Sequence, residues 1–308
     1  MKHIYNLADA HLQQPSVVTI GVFDGVHRGH QYLIRQLVEE AHSTNRLAVV
    51  LTFFPHPDIV LRGLKGRYYL TTAEQKAEQL MKLGVDLVVT HPFNDETRQI
   101  RAAAFVDRLL EHLRLNALWV GEDFAMGYKR EGNVPFLMQQ GTEKGFSLHV
   151  IDLVHNEGGV ITSTKIREAL QAGEVEQANE WLGRSYEVVG EVIQGEQRGR
   201  KIGFPTANIN VWEEQVIPAN GVYAGWATLG GERFMAVTNV GVRPTFAGQG
   251  VTVEAHLLDF DRDIYGQQLA FSFDKRLRDE MKFAGIDALI AQIRVDVEAG
   301  RAYLSQRA

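Results

Sequence analysis

Two imidazoles, His27 and His30, stand three residues apart in Gly21-Val22-Phe23-Asp24-Gly25-Val26-His27-Arg28-Gly29-His30. At that spacing both rings can offer hydrogen-bond donors to one place, and the glycines let a phosphate approach the backbone. The stretch follows an apolar run, Val17-Val18-Thr19-Ile20, that reads as a buried strand. It precedes Leu33, Ile34, Leu37, Val38 and Ala41, which share one helix face. The spacing therefore predicts a glycine-rich turn between a strand and a helix, whose amino end favours anions. Alone, such a turn is only a turn and such a histidine only a surface or core residue; their coincidence at one junction is what points to chemistry.

Further polar groups recur beyond apolar runs. Phe54-Pro55-His56-Pro57 follows the strand-like Leu47 to Phe53, and its prolines are expected to hold a loop and bar helix or strand continuation. Gly121-Glu122-Asp123-Phe124 follows Ala117 to Val120, with Lys129 and Arg130 nearby. Ser163-Thr164-Lys165-Ile166-Arg167 opens a helix, where Ser163 or Thr164 is a good amino cap and an arginine fork matches phosphate oxygens. Gly199-Arg200-Lys201-Ile202-Gly203-Phe204-Pro205-Thr206-Ala207-Asn208 is a basic, glycine-rich loop able to wrap phosphates, without P-loop spacing. Thr206 and Asn208 are neutral oxygen ligands of the kind magnesium accepts, although Pro-Thr-Ala-Asn by itself reads as a turn. Glu254 and His256 fall on one side of a strand, opposite Val253 and Ala255. The pattern alone makes that side a solvated face, whereas an inward carboxylate in a small barrel would need a reason. Asp259-Phe260-Asp261-Arg262-Asp263 lacks the spacing of a calcium loop and reads as a turn.

The elements that must position these groups change character along the chain. Up to Leu182, strands alternate with amphipathic helices: Thr71-Thr72 starts a helix that Gly84 ends, strands follow at Val85 to Val89 and Val150 to Val154, and Ala102 to Leu115 is a helix. That order predicts a parallel, doubly wound sheet, in which ligands bind at the carboxyl ends of strands. Beyond Gly183-Arg184-Ser185, five strands (Tyr186 to Ile193, Gly221 to Leu229, Phe234 to Val240, Val251 to Leu258, Gln268 to Phe273) follow without helices and suggest a small antiparallel barrel. A final helix is lined by Ile286, Leu289, Ile290, Ile293 and Val297, with Gly300 expected near its end.

Composition narrows the function classes. With 308 residues, two domains are expected. A net charge of −6 gives no support to nucleic-acid binding. The absence of cysteine excludes disulfides, thiolate nucleophiles and thiolate metal sites. No apolar signal core or membrane-length run is present, so the chain reads as cytoplasmic, with no membrane partner and nothing that fixes an oligomeric state.

The first stretch resembles the His-x-Gly-His signature of the nucleotidyltransferase superfamily. In its fuller form it resembles the adenylyltransferase half of bacterial FAD synthetases, the bifunctional riboflavin kinase/FMN adenylyltransferases. Ser163-Thr164-x-Ile166-Arg167 is similar to that superfamily's second signature. Pro205-Thr206-Ala207-Asn208 is similar to the signature of riboflavin kinase, and Asn239 to Phe246 and Val253 to Phe260 are further matches. Together the motifs run from Val17 to Leu304, with one departure: Gln197 stands where the family commonly has glycine.

The resemblance implies an α/β protein with a Rossmann-like nucleotidyltransferase domain at 1–182 and a β-barrel riboflavin kinase domain with a C-terminal helix at 183–308. It implies that ATP phosphorylates riboflavin to FMN with Mg2+, and that a second ATP adenylylates FMN to FAD. Gly21, Phe23, Asp24, Gly25, Gly29, Ser163 and Thr164 would then hold ATP, with His27, His30 and Arg167 stabilising charge. Phe54, His56, Pro57 and Asp123 would border flavin. In the second half Gly199, Arg200, Lys201 and Gly203 would hold phosphates, Thr206 and Asn208 the metal, and Arg243 and Arg278 flavin, with Glu254 as general base. A single-activity enzyme, a nucleotidyltransferase acting on another phosphate, and a flavin sensor without turnover are the other readings. Intact Pro205 to Asn208 and Glu254 argue against the first two, and the retained base and phosphate motifs against the third.

Overall fold

The computed structural model describes every residue except 152–154, 157–158, 196–197, 246–247 and 308; the side chains of 155, 156, 159, 198, 201, 243–245, 248 and 249 also lie outside the description. Two compact units result, one of Met1–Lys65 with Thr71–Ser163, the other of Gly66–Leu70 with Thr164–Ala308.

The first unit is built on six parallel strands, β1 (Lys2–Ile4), β2 (Ser16–Ile20), β3 (Leu47–Phe54), β4 (Leu87–Pro92), β5 (Leu115–Gly121) and β6 (Ser147–Ile151), in the order β1-β4-β3-β2-β5-β6. Every residue of β2 is buried, as expected of a strand covered on both faces. Alternate residues serve opposite layers. Val49 and Leu51 join Phe105, Leu109, Leu113 and Leu137 on one side; Val50 joins Ile34, Ala77 and Leu80 on the other. The helices concerned are α1 (Arg28–Ser43), α3 (Ala73–Lys82), α4 (Ala102–Leu113) and α5 (Val134–Lys144). β2 pairs with β3 on one side and β5 on the other, so the strand order reverses beside β2. A crevice for ligands opens at such a reversal, and the Gly21 turn leaves the carboxyl end of β2.

Two local expectations are corrected, and two elements went unread. Pro57 does not bar a helix but starts one, α2 (Pro57–Arg62), because a proline at the first helical position forfeits an amide that has no partner there anyway. His56 caps it, accepting the Asp58 amide at Nδ1 (3.0 Å). β1 and α5 were not legible: one is only three residues long, and the other opens with Val134-Pro135 after an Asn133 cap. The strand expected at Val150 to Val154 begins earlier, at Ser147, and is described through Ile151; 152–154 lie outside the described residues.

The second unit begins with helices α6 (Ser163–Ala172, whose first residue belongs to the first unit) and α7 (Val175–Leu182). A closed antiparallel barrel follows: β7 (Tyr186–Ile193), β8 (Ala207–Val211), β9 (Gly221–Leu229), β10 (Glu232–Thr245), β11 (Gly248–Leu257) and β12 (Gln268–Arg278), in the order β7-β8-β11-β10-β9-β12. β8 is a sixth strand where the sequence read as a turn. Its alternation of buried Ala207, Ile209 and Val211 with half-buried Asn208 and exposed Asn210 is that of a barrel wall. The phase of β11 buries Val253, Ala255 and Leu257 and leaves Glu254 and His256 on the half-exposed face, so Glu254 is not an inward carboxylate. The closing helix α8 (Ile286–Ser305) carries Gly300 near its end, as expected. A Cβ at Gly300 would lie 2.6 Å from Val237, so glycine is what lets α8 approach the barrel.

Candidate active sites

In the first unit the turn after β2 is strained. Phe23 (φ 51°), Gly25 (φ 79°) and Val26 (φ 40°) occupy left-handed backbone, which is a genuine outlier for a β-branched residue. The fold holds it there with a dense set of bonds. The Val22 carbonyl accepts from Thr52 Oγ1 (2.8 Å) and Lys76 Nζ (3.0 Å). The Asp24 carboxylate accepts from the Thr71 amide (3.2 Å), and its carbonyl accepts from Ser163 Oγ (2.9 Å). Asp24 is thus a brace of the turn, its carboxylate directed at Thr71. Phe23 is buried, edge-on to His30 at 5.2 Å.

His27 caps α1, its Nδ1 accepting the His30 amide at 3.4 Å, and the two rings stack with centroids 3.5 Å apart. Burial, then the neighbouring His27, then Lys76 hold the His30 imidazole well below its ordinary value, so it is neutral at pH 7. His30 Nδ1 is buried without a hydrogen-bond partner. The stack needs its glycine: a Cβ on Gly29 would meet the His27 ring at 3.2 Å.

Gly21 and Val22 open into a cavity of about 960 Å³ whose walls also include Phe53, Phe93, Phe124 and Tyr128. His56, Pro57 and Asp123 also line it, and Arg98, Arg101, Lys129 and Arg130 supply positive charge. Arg130 donates to the Asp123 carbonyl (2.9 Å), and Arg101 is forked on Glu131. Phe54 ends β3 beside this cavity without lining it. Flat aromatic walls with cations suit a planar, phosphorylated ligand.

In the second unit, pairing aligns Asn208 on β8, Glu254 on β11 and Asn239 on β10 along one rung. Directly opposed residues share a face, so a carboxylate lies between two carboxamides. Arg200, Pro205 and Thr206 line a cavity of about 370 Å³ with Ala207, Ala255 and Phe260 to Tyr265, and the Asn208–Glu254–Asn239 rung is not part of its lining. The segment read as a simple turn is therefore a cavity wall. His256 Nδ1 donates to the Pro205 carbonyl (2.7 Å) and its ring meets Phe204 edge-on, which ties the loop to β11. Gly199 stands in a helical turn where a Cβ would strike the Phe204 carbonyl at 2.3 Å, and Gly203 is left-handed at φ 88°. The Thr206 hydroxyl and the Asn208 amide oxygen, with one nearby carboxylate, form a hard oxygen set that fits a divalent cation such as Mg2+.

Two arginines have protein partners. Arg167 donates from Nε to the Tyr68 carbonyl (2.6 Å) and lies over the Tyr68 ring at 4.0 Å. Arg278 is forked on buried Asp296 of α8 (2.7–3.1 Å), which also accepts from Gln292. Thr164 is the second residue of α6. The side chains of Lys201 and Arg243 lie outside the described residues, as does Gln197.

Sequence reasoning missed Thr52, Thr71, Lys76, Asn239 and the aromatic walls. Lys76 had left a signal: it falls on the Ala73, Ala77, Leu80 stripe of α3, where a charge is out of pattern.

A six-stranded parallel α/β unit with a His-x-Gly-His turn, followed by a closed barrel with a Pro-Thr-Ala-Asn strand entry, defines a nucleotidyltransferase joined to a kinase. Residues 9–165 match the model of the FAD synthetase family and residues 182–304 that of the riboflavin kinase family. The chain belongs to the bifunctional riboflavin kinase/FMN adenylyltransferase family. It is 39% identical to the protein of that name from Listeria monocytogenes, over 94% of this chain and 93% of that one. It is 38% identical to that of Pseudomonas fluorescens, over 98% and 96%. A solved structure described as a macrolide-efflux protein from Streptococcus pneumoniae superposes with a TM-score of 0.88 at 29% identity, over 97% of this chain and 98% of that one. No helix among the described residues is long and apolar enough to cross a membrane.

Proposed function

We propose that this chain carries out both steps of FAD formation, each in its own half: riboflavin and ATP give FMN and ADP in residues 183–308, and FMN and a second ATP give FAD and pyrophosphate in residues 1–182. A boundary at 182 is supported by the family matches, one ending at residue 165 and the other beginning at 182. The observation that carries the reading is the stacked His27–His30 pair on a strained turn whose leading residues, Gly21 and Val22, line an aromatic, cationic cavity that the imidazoles themselves do not line.

In the first half the FMN phosphate is already an anion and attacks the α-phosphorus of ATP without a strong base; the pyrophosphate leaves in line. Neutral His30, together with His27, donates hydrogen bonds to the charge that builds on the phosphoryl oxygens. The aromatic walls, with His56 and Pro57, receive the isoalloxazine. Ser163, Thr164 and Arg167 hold the outer phosphates.

In the second half Glu254 takes the proton from the ribityl 5′-hydroxyl as that oxygen attacks the γ-phosphorus. Arg200, Lys201 and the glycine loop hold the phosphates. Thr206 and Asn208 would hold Mg2+, which when bound offsets phosphate charge. Arg243 remains a flavin-side candidate; Arg278 would reach flavin only by way of the loop it anchors through Asp296.

The test is chromatography of flavins after incubation of the purified chain with riboflavin, ATP and Mg2+. FMN appearing first and then converting to FAD supports both halves of the reading. FMN that accumulates unconverted removes the first half, and unchanged riboflavin removes the second.

A further inference from the structure

Lys76 is a lysine 5% exposed in a helix face otherwise built of alanine and leucine. Burying an ammonium is costly unless it does something that an apolar residue cannot. Its Nζ donates to the Val22 carbonyl at 3.0 Å. That carbonyl already accepts from Thr52, so Lys76 is not there merely to satisfy it. The carbonyl heads the segment in which Phe23, Gly25 and Val26 are all left-handed and from which His27 and His30 project. The titratable groups facing the ammonium come from each neighbouring element: Asp24 from the turn, His30 from α1 and His3 from β1, with Glu74, two residues before it on α3, coupled to His3.

We propose that Lys76 is a positioning residue for adenylyl transfer, its ammonium pinning the Val22–Asp24 limb of the turn in the strained form that presents His27 and His30. It touches no reacting atom and acts through the turn. This rests on the assignment of adenylyl transfer to the His27–His30 turn.

Deprotonation of Lys76 would remove the pin. Burial draws the ammonium down to about 8, against the pull of Asp24, so the charged form is lost within reach of ordinary assays. Because burial of the charge opposes folding, Lys76→Met relieves that cost and leaves the Val22 carbonyl on Thr52. A structural lysine would give the opposite result on removal.

The experiment follows FMN to FAD conversion against pH in the full chain, with FMN formation from riboflavin as control in the same molecule. For wild type, kcat/KM is expected to fall on the alkaline side with a midpoint near 8. Lys76→Met is expected to form FAD about 30-fold more slowly at neutral pH, with no alkaline limb, unchanged kinase activity and an equal or higher Tm. Lys76→Arg, which keeps its charge, is expected to move the limb upward. A wild-type profile flat to about pH 9.5, a Lys76→Met enzyme within about threefold of wild type, or a Lys76→Arg limb identical to that of wild type each overturns the proposal. The wild-type profile decides the matter even if a variant fails to fold. If His30→Ala leaves FAD formation intact, the assignment of the turn fails instead, and this proposal with it.

Discussion

His27 and His30 lie ring on ring, centroids 3.5 Å apart and planes 20° from parallel, with the His30 amide donating to His27 Nδ1. Two imidazoles this close resist joint protonation, and burial adds to the effect at His30. On the proposed reading the pair donates hydrogen bonds to the charge that develops on the transferred phosphoryl group, with His30 neutral. His27→Ala or His30→Ala is expected to slow FAD formation about 10²-fold, the loss typical of a donor to developing charge, and to leave FMN formation unchanged. The check is a pair of assays on one preparation, riboflavin to FMN and FMN to FAD.

The second unit should answer to the opposite set of changes. Glu254→Gln removes the base while keeping the shape of the Asn208–Glu254–Asn239 rung. It is expected to lower FMN formation about 10³-fold while supplied FMN is still turned into FAD. Asn239→Ala, which leaves Glu254 without one of its flanking amides, is expected to give a milder loss in the same assay.

Arg278 and Asp296 predict a stability effect. Arg278→Met leaves the buried Asp296 carboxylate with Gln292 but without its counter-charge, at a cost of about 3 kcal/mol. Adding Asp296→Asn should recover most of the loss. Denaturant midpoints of the two variants, measured beside kinase activity, separate this anchoring from any direct contact with flavin: recovery of stability without recovery of activity would assign Arg278 to the flavin as well.

The pH dependence of stability has a definite sign. His30, and likewise His91 and His3, are held below their ordinary 6.5 by burial first of all, so the folded chain takes up their protons later than the unfolded chain. Below that value the unfolded state binds more protons, and stability falls as pH falls. Between about 8 and 10.5 the unfolded chain keeps the Lys76 proton that the folded chain has lost, so stability rises with pH there. Above 10 Tyr223, raised to about 12 by burial, keeps its proton in the folded state and the slope is opposed. Urea midpoints measured through this range test the sequence of slopes. A midpoint that rises on acidification below 6.5 would contradict it.

Much of this was legible in the residues themselves. The periodicity of Leu33 to Ala41 and the apolar run Val17 to Ile20 located α1 and β2, because burial on one helix face or two strand faces leaves a local pattern. The motifs at His27, Ser163 and Pro205 marked both chemistries because reacting phosphates need particular side chains at short spacings. β8 was misread, since a five-residue strand beginning in Pro-Thr-Ala-Asn has turn-like composition and becomes a strand only by pairing with β7 and β11.

What the sequence alone determined was the inventory: two halves, their element types, and the imidazoles, hydroxyls and carboxylate available for phosphate chemistry. The tertiary structure decided the partners. Lys76 lies 54 residues from Val22, Thr52 lies 30 from it, and Asp296 lies 18 from Arg278. No local spacing connects such pairs. They meet because strand order and barrel closure bring distant segments together, and that long-range packing gives the turn its strain, His30 its neutrality and Glu254 its flanking amides.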